Sequence, residues 1–366
     1  MSWLTQAREA TIPWLLVLAI AALSGGPAPA AAARLRGGSP AARAADAPAA
    51  QLTAVRFGAP GGISDAGVLI ARERGFFRDQ GLAVDVLPFQ SGSDVIAPLA
   101  AGDLEVAGGT VSTGLFNAFD RGLGIKLVAD KGTSRRGFEY SQLVVRRPLL
   151  DSGEVHDLAD LRGRRIGVAS VRSGSESVVA HILARGGVGI DEVDLVVLSF
   201  PEMIVALGNG AVDAAQIIEP LLSAAVDRGV AATWEPGRSS QAYGGVYQAG
   251  ILLYSGQFAA EVDLARRFML AYLQGVRVYN DAFARGEGRP EVVRILTEQT
   301  SVRDPSVYDR MEMAGLDPNG RIARQSLQLD LDYFRQRGYY TGSLALDDVV
   351  DASFADYAAQ QLGPYP

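Results

Sequence analysis

The fold of this chain is decided by two stretches of similar layout, SDVIAPLAAGDLEVAGGTVS (residues 93–112) and PEMIVALGNGAVDAAQIIEP (residues 201–220). Aligned on one another, they bring five pairs of similar residues together: Ile96 with Ile204, Leu99 with Leu207, Gly102 with Gly210, Leu104 with Val212, and Glu105 with Asp213. Each stretch has the pattern of a helix that ends on a glycine and is followed by a short strand. The repeat therefore predicts two halves of similar structure within one chain.

The similarity extends upstream, to residues 55–87 and 166–198. Each segment contains a β-type run, a Gly/Ser-rich loop, a helical pattern, a glycine stop and a second β-type run. Gly75 and Gly186 occupy the position where a helix needs a left-handed residue after its end. Strands that alternate with helices of about ten residues are typical of β-α-β units and parallel sheets. The chain is therefore predicted to be α/β, with two similar lobes.

Two strand-like segments, YSQLVVR (residues 140–146) and GGVYQAGILLYS (residues 244–255), are the candidates for crossover strands between the lobes. Placing the crossovers there assigns residues 51–142 and 247–366 to lobe I and residues 143–246 to lobe II. The remainder after the second crossover is helical, and its apolar residues recur at helical spacing. We expect the stripe in the first long helix to face the core: Leu264, Phe268, Ala271, Tyr272 and Val276.

The N-terminus has the pattern of a secretory signal peptide. Arg8 precedes the apolar run WLLVLAIAAL (residues 14–23), which is followed by small residues. This order predicts a signal peptide over residues 1–33 and a flexible leader over residues 34–50. The absence of cysteine excludes disulfide bonds and lipid attachment at an N-terminal cysteine. We therefore expect a periplasmic protein that is not lipid-anchored.

Composition excludes several functions. The formal net charge of −7 argues against nucleic-acid binding, which needs a basic face. The chain has no cysteine and only two histidines, His156 and His181, and it contains none of the common catalytic motifs. We therefore expect no enzyme activity, no cofactor and no metal site, and we expect a monomer.

Four segments in their expected order resemble the substrate-binding proteins of ABC importers of the nitrate, taurine and alkanesulfonate group. They are ARERGFFRDQGLAVDV (residues 71–86), APLAAGDLEVA (97–107), LADLRGRRIGV (158–168) and ALGNGAVDAAQIIEP (206–220). The resemblance implies a two-lobed periplasmic-binding-protein (Venus flytrap) fold. It also implies one small solute bound between the lobes and delivery of that solute to an ABC permease in the inner membrane.

Two alternatives remain open. A periplasmic ligand-sensing subunit for a membrane receptor would have the same lobes, and the sequence does not separate sensing from import. The fungal thiamine-pyrimidine synthases share the fold implied by the resemblance, but that family depends on histidine and a cysteine-rich motif. The lack of cysteine in this chain disfavours such an enzyme.

Candidate ligand-binding residues lie in the loops that follow the predicted strands, where open α/β sheets bind ligands. The loop SVRSGSES (residues 170–177) precedes a helix, whose N-terminus favours anions. In it we select Arg172, Ser173, Gly174 and Ser175, with Arg172 as a cation for a carboxylate or sulfonate. The alternative is that its serines only cap the helix.

The other candidates come from the remaining loops and the crossovers. Asp65 would repel an anion, so it either accepts a ligand donor or caps a helix; Glu219 either accepts a ligand donor, bridges the lobes or complements a helix dipole. The remaining candidates are hydroxyl, amide and aromatic side chains: Ser64, Gln90, Ser91, Thr110, Ser112, Tyr140 and Tyr247. Together these residues favour a small organic anion, with sulfonate, carboxylate, nitrate and heterocycle all left open.

Overall fold

The computed structural model describes residues 51–366, so the predicted signal peptide and leader lie outside the described residues. Ten strands are present in this part of the chain: β1 Thr53–Ala59, β2 Leu82–Pro88, β3 Val106–Gly109, β4 Lys126–Arg135, β5 Ser141–Arg146, β6 Arg165–Val168, β7 Asp194–Val197, β8 Ala214–Ile218, β9 Ala231–Ala232 and β10 Val246–Tyr254.

Fifteen α-helices accompany the strands within the same residues: α1 Ala66–Glu73, α2 Phe76–Asp79, α3 Ile96–Ala101, α4 Thr113–Asp120, α5 Arg147–Asp151, α6 Gly174–Ala184, α7 Phe200–Asn209, α8 Leu221–Asp227, α9 Ser239–Ala242, α10 Gly256–Ala260, α11 Val262–Asn280, α12 Arg289–Gln299, α13 Val307–Arg310, α14 Arg324–Gln336 and α15 Ser353–Leu362. Within residues 51–366, no helix is both long enough and apolar enough to cross a membrane.

The strands form two five-stranded sheets, with orders β2-β1-β3-β10-β4 and β7-β6-β8-β5-β9. The two orders are equivalent: in each, the first strand of the repeat lies between the second and the third, and an antiparallel strand follows. We call the first sheet with its helices the first lobe, and the second sheet with its helices the second lobe. The predicted α/β, two-lobed fold is confirmed.

The prediction of parallel sheets is wrong for the fourth strand in the order of each sheet. β10 runs antiparallel to β3 and β4, and β5 runs antiparallel to β8 and β9. The reason is the crossover between the lobes. The strand before a crossover ends at the side of its sheet that faces the other lobe. The next strand therefore begins at the corresponding side of the second sheet and runs away from the first lobe. The predicted lobe boundaries after residues 142 and 246 fall inside β5 and β10, which begin at Ser141 and Val246.

The glycines of the repeat end helices largely as predicted. Gly102 and Gly210 follow α3 and α7 in the left-handed conformation, with φ of 81° and 76°, and Gly75 follows α1 with φ of 81°. Gly186 is not left-handed, and Gly187 takes that conformation after α6, with φ of 68°. Gly186 instead packs closely on Leu158, since a Cβ there would lie 2.3 Å from the Leu158 Cβ.

The apolar stripe predicted for the first long helix faces the core. All five of its residues, which lie on α11, are buried. α11 packs against α1 and α15 on one side of the first sheet. This packing fixes the position of the loop before α1, which supplies residues to the cleft between the lobes.

The lobes contact one another across this cleft. Two backbone hydrogen bonds join the segments before α4 and α6: Thr113 N donates to Arg172 O at 3.0 Å, and Gly174 N donates to Val111 O at 2.8 Å. A third such bond runs from Ile63 N to Glu219 O at 2.9 Å. The structure is therefore a closed form, in which backbone hydrogen bonds join the two lobes.

Candidate functional site

A small cavity lies between the two sheets. Its volume, measured as the space open to the centre of a water molecule, is about 60 Å³. Since one water needs about 10–15 Å³ on this measure, the cavity has room for several water molecules or a small solute. Both lobes line it: Pro60, Ser64, Ser91, Gly92, Gly109, Thr110, Lys131, Tyr140, Ala169, Ser170, Ser175, Phe200, Gln216, Ile218, Tyr247, Ala249 and Gly250.

The cavity lies at the carboxyl ends of the parallel strands in both lobes. Pro60 follows β1, Thr110 follows β3, and Ala169 and Ser170 follow β6. This is where open α/β sheets bind ligands, because strand-to-helix loops converge there. The position of the cavity agrees with the expectation from the sequence.

A buried ion pair borders the cavity in the first lobe. Lys131, on β4, places its Nζ 2.6 Å from Oδ1 of Asp65. The same Nζ donates to Ser64 Oγ at 3.1 Å, and the second carboxylate oxygen of Asp65 accepts from Gly61 N at 2.8 Å. The exposed fraction of both charged side chains is 1% or less. Burying two charges is favourable only when each is paired and hydrogen-bonded, as here.

A chain of serine hydroxyls crosses from one lobe to the other. Ser91 Oγ and Ser93 Oγ are 2.9 Å apart, Ser93 donates to Ser170 Oγ at 2.9 Å, and Ser170 Oγ and Ser173 Oγ are 2.7 Å apart. Ser173 Oγ also donates to the backbone oxygen of Ser170 at 3.0 Å. Since each hydroxyl has one proton, all four contacts are satisfied together when Ser170 donates to Ser173 and Ser91 donates to Ser93. In that arrangement Ser91 and Ser170 keep oxygen lone pairs for further contacts.

The opposite wall holds an amide and further hydroxyls. Ser175 Oγ donates to Gln216 Oε1 at 2.7 Å and accepts from Ala169 N at 3.0 Å. Gln216 Nε2 in turn donates one N–H to Ser141 Oγ at 2.8 Å, and its second N–H can donate to a solute. The Tyr247 hydroxyl donates to Gly174 O in the other lobe at 3.1 Å. These bonds fix the orientation of every group named.

Six of the residues selected from the sequence line the cavity: Ser64, Ser91, Thr110, Tyr140, Ser175 and Tyr247. The others lie elsewhere. Asp65 lies behind Lys131, and Gln90 is exposed to solvent. Ser112 and Ser173 cap α4 and α6 by accepting from backbone N–H groups, and the backbone of Gly174 joins the lobes.

Arg172 lies outside the cavity. Its side chain is exposed, and its guanidinium carbon lies 5.1 Å from the ring centroid of Tyr339. Its backbone has a φ of 54°, and its N–H donates to the carboxylate of Glu176 at 2.7 Å. This left-handed backbone turns the side chain away from the cleft, a geometry that the sequence pattern does not indicate.

We therefore expect Arg172→Ala to weaken solute binding by less than about fivefold, because an exposed charge contributes at most about 1 kcal/mol. Calorimetric titration of the variant beside the native protein measures this. A loss of one to two decades in affinity would restore Arg172 as the cation that the sequence predicts for the site.

Glu219 makes long-range contacts through both its backbone and its side chain. The carboxylate accepts from Ser223 N at 2.9 Å and Ser223 Oγ at 2.7 Å, at the start of α8, and from Glu312 N at 3.3 Å. Burial raises the pKa of Glu219 to about 7, although these hydrogen bonds oppose the rise. Of the roles that the sequence left open, the structure places this carboxylate at a helix N-terminus and also in contact with Glu312, in the segment that the sequence assigns to lobe I. It is outside the cavity lining.

A second buried carboxyl group lies where α14 packs against α6. Asp330 Oδ1 accepts from Ser177 Oγ at 2.7 Å and from the Tyr243 hydroxyl. Burial raises the pKa of Asp330 to about 7 from an ordinary value of 3.8. Because the folded protein holds this proton more tightly than the unfolded chain, the group stabilises the fold fully only below about pH 4. That contribution is lost as the pH rises through about 7.

Asp330→Asn should flatten the dependence of stability on pH. Between pH 5 and pH 8 we expect the native protein to lose about 2–3 kcal/mol more unfolding free energy than the variant. Denaturant unfolding at both pH values, for both proteins, measures the difference. Equal losses would show that Asp330 is not protonated in the folded protein at pH 5.

Sequence reasoning missed several lining residues, above all Lys131 and Gln216. Both carry a weak signal, since Gln216 is the one polar residue in the strand AAQII, and Lys131 follows the apolar run LVA inside the strand LVADKGT. A polar side chain in a buried strand must have a partner, and in both cases that partner is in or beside the cavity. Phe200 and Ile218 carry no comparable signal.

Within residues 51–366, no group of three or more His, Asp or Glu side chains is arranged to hold a metal ion. The charged groups next to the cavity are the Lys131 ammonium and the Asp65 carboxylate, which are bonded to one another.

Comparisons with known proteins agree with this architecture. A family model described as NMT1/THI5 like matches residues 63–282. A protein of Bacillus subtilis (strain 168) that is named as an aliphatic sulfonates-binding protein is 29% identical over 234 residues, which are 62% of this chain. The match covers 65% of that relative, less than two thirds of its length.

Two solved structures share the fold. The periplasmic nitrate-binding protein NrtA from Synechocystis PCC 6803 superposes with a TM-score of 0.69 at 17% identity, covering 85% of this chain and 89% of that one. The alkanesulfonate-binding protein SsuA from Xanthomonas axonopodis pv. citri, bound to MOPS, superposes with a TM-score of 0.66 at 18% identity, covering 83% and 100%. At these identities, the likeness shows the fold alone.

Proposed function

Since the chain belongs to the NMT1/THI5-like family, we propose that it is the solute-binding component of an ABC-type importer. It captures one small polar solute between its lobes and delivers it to a permease in the membrane. The relatives with this fold bind small solutes, as their names state. The proposed site of exchange is the periplasm, which accords with the signal-peptide pattern of residues 1–33.

The observation that carries this proposal is the cavity itself. It is lined by polar and apolar side chains, it is shared by two lobes, and its walls are joined by hydrogen bonds such as Ser93 to Ser170 and Tyr247 to Gly174. A solute in this position would contact both lobes and so stabilise the closed form over an open one. A permease that recognises the closed form would then receive only the loaded protein.

The solute carries at least one strong hydrogen-bond acceptor, in this proposal. An ammonium group has three N–H donors, and within the described residues Lys131 donates one of them to Ser64 and forms an ion pair with Asp65. A further N–H is available to an oxygen of the solute. The acidic group of the solute that the sequence leads us to expect would therefore bind to Lys131 and not to Arg172, whose side chain is exposed.

Binding without turnover is part of the proposal. The only hydroxyl–amine contact at the cavity joins Ser64 and Lys131, within the residues described. A serine–lysine pair catalyses acyl transfer only when the amine accepts the serine proton. Here Lys131 is the cation of an ion pair with Asp65, so it is not available as that base.

The test is a thermal-shift screen of the purified protein against a library of small polar solutes, followed by calorimetric titration. A specific solute raises the melting temperature in proportion to occupancy. We expect one solute per chain, recovered chemically unchanged after incubation. Stabilisation by no solute of the library, or recovery of product in excess over protein, would contradict the proposal.

A further inference from the structure

The charges beside the cavity cancel. Lys131 is the only charged residue that lines it, within residues 51–366, and its Nζ lies 2.6 Å from the Asp65 carboxylate. Both charges are buried, so little solvent screens either of them. A solute that enters as an anion gains the attraction of Lys131 and also meets the repulsion of Asp65, whose carboxylate oxygen lies 2.6 Å behind the ammonium nitrogen.

The position of the lysine is fixed. Its side chain crosses β3 at Gly108, where a Cβ would lie 2.1 Å from the Lys131 Cε and 2.7 Å from Nζ. Only a glycine leaves this path open. The close packing on Gly108 and the contacts with Asp65 and Ser64 hold the ammonium group in one place. The ion pair is therefore not free to separate when a solute arrives.

Several hydroxyl groups around the cavity offer acceptor lone pairs. Ser175 and Tyr247 donate their protons to Gln216 Oε1 and Gly174 O. In the serine chain, Ser91 and Ser170 donate to Ser93 and Ser173 when Ser93 donates to Ser170 Oγ and Ser173 to the Ser170 carbonyl. Each of these oxygens therefore presents lone pairs. An oxyanion without N–H or O–H groups would place its own lone pairs against them, and buried acceptors without donors are costly.

We infer that the Asp65–Lys131 pair makes the cavity selective for small solutes of zero net charge that carry both a donor and an acceptor, and that it excludes simple monoanions. The acceptor end meets Lys131 and the second N–H of Gln216. The donor end, an ammonium or amide N–H, meets the lone pairs of the serine and tyrosine hydroxyls. This inference rests on the proposed solute-binding role and adds the charge class of the solute.

The test uses pairs of probes that match in shape and differ in net charge: acetamide and acetate, β-alanine and butyrate, taurine and propane-1-sulfonate. Their affinities for the full protein are measured by calorimetric or fluorescence titration. In any pair that binds, we expect the net-neutral member to bind at least about tenfold tighter than the anion. One hydrogen bond that involves a charged group contributes enough free energy for a difference of this size.

Two variants separate charge from shape. In Asp65→Asn the lysine charge is no longer cancelled, so we expect the anionic probes to gain at least about tenfold in affinity. The double variant Asp65→Asn/Lys131→Gln is neutral again, and its preference should match that of the native protein, with weaker binding throughout. Because the probe comparison on the native protein needs no variant, it tests the inference even if Asp65→Asn does not fold.

Tighter binding of the anionic members by the native protein would overturn the inference while leaving solute binding intact. Failure of every probe to bind would also overturn it, because the pair would then select none of the six. Only a negative result with the broad solute library would remove the proposed function as well, so the two failures are distinguishable.

Discussion

Lys131→Met should abolish detectable solute binding and lower the unfolding free energy by about 3–5 kcal/mol. The first effect follows because Lys131 is the only cation at the cavity, within the described part of the chain. The second follows because Asp65, whose side chain is fully buried, would lose the partner 2.6 Å away. Removing one member of a buried ion pair leaves a charge that neither water nor protein compensates.

Calorimetric titration and denaturant unfolding measure the two effects separately. The matched control is Lys131→Met/Asp65→Asn, which removes both charges. It should recover most of the stability, since replacing a whole buried pair is often nearly neutral, but it should not recover the affinity. A single variant that stays as stable as the native protein would show that the pair is not buried in solution.

Gly174→Val should weaken binding by about one to three decades while each lobe stays folded. Gly174 is the first residue of α6, and a Cβ there would lie 2.5 Å from Thr110 Oγ1 of the other lobe. A valine would keep the lobes apart. Three hydrogen bonds that Arg172, Gly174 and Tyr247 make across the cleft would be lost with closure, at about 0.5–1.5 kcal/mol each.

Gly114→Val is the matched control. Gly114 also lies in the first turn of a helix, α4, but it is exposed, and a Cβ there would meet only Ser112 Oγ at 3.7 Å. It should bind like the native protein. Small-angle scattering should show a larger radius of gyration for Gly174→Val in the presence of solute. Equal affinity and equal size in both variants would show that closure at α6 is not part of binding.

The fold could be predicted because the chain contains its unit twice. The helix–glycine–strand pattern around Gly102 recurs around Gly210, and both glycines are left-handed in the structure. An element that is ambiguous in one copy can therefore be assigned from the corresponding element of the other copy. The antiparallel strands β5 and β10 could not be predicted in the same way, because their direction is set by the crossovers and not by the local apolar pattern.

The cavity could be predicted only in part. Loop position was enough for Ser91, Thr110 and Ser175, because strand ends converge at the cleft. It failed for Arg172, since a single left-handed residue turns that side chain outward. It also missed Lys131, which is in the middle of a strand and faces the cavity through long-range packing over Gly108. Contacts of that kind depend on the fold and not on neighbours in sequence.

Native mass spectrometry tests the central claim, solute capture by lobe closure, most directly. The purified protein and its Gly174→Val variant are incubated with the same pool of small polar solutes and measured without denaturation. We predict one solute of unchanged mass retained per chain of the native protein and none retained by the variant. No retained solute in the native protein, or equal retention in both proteins, would contradict the account.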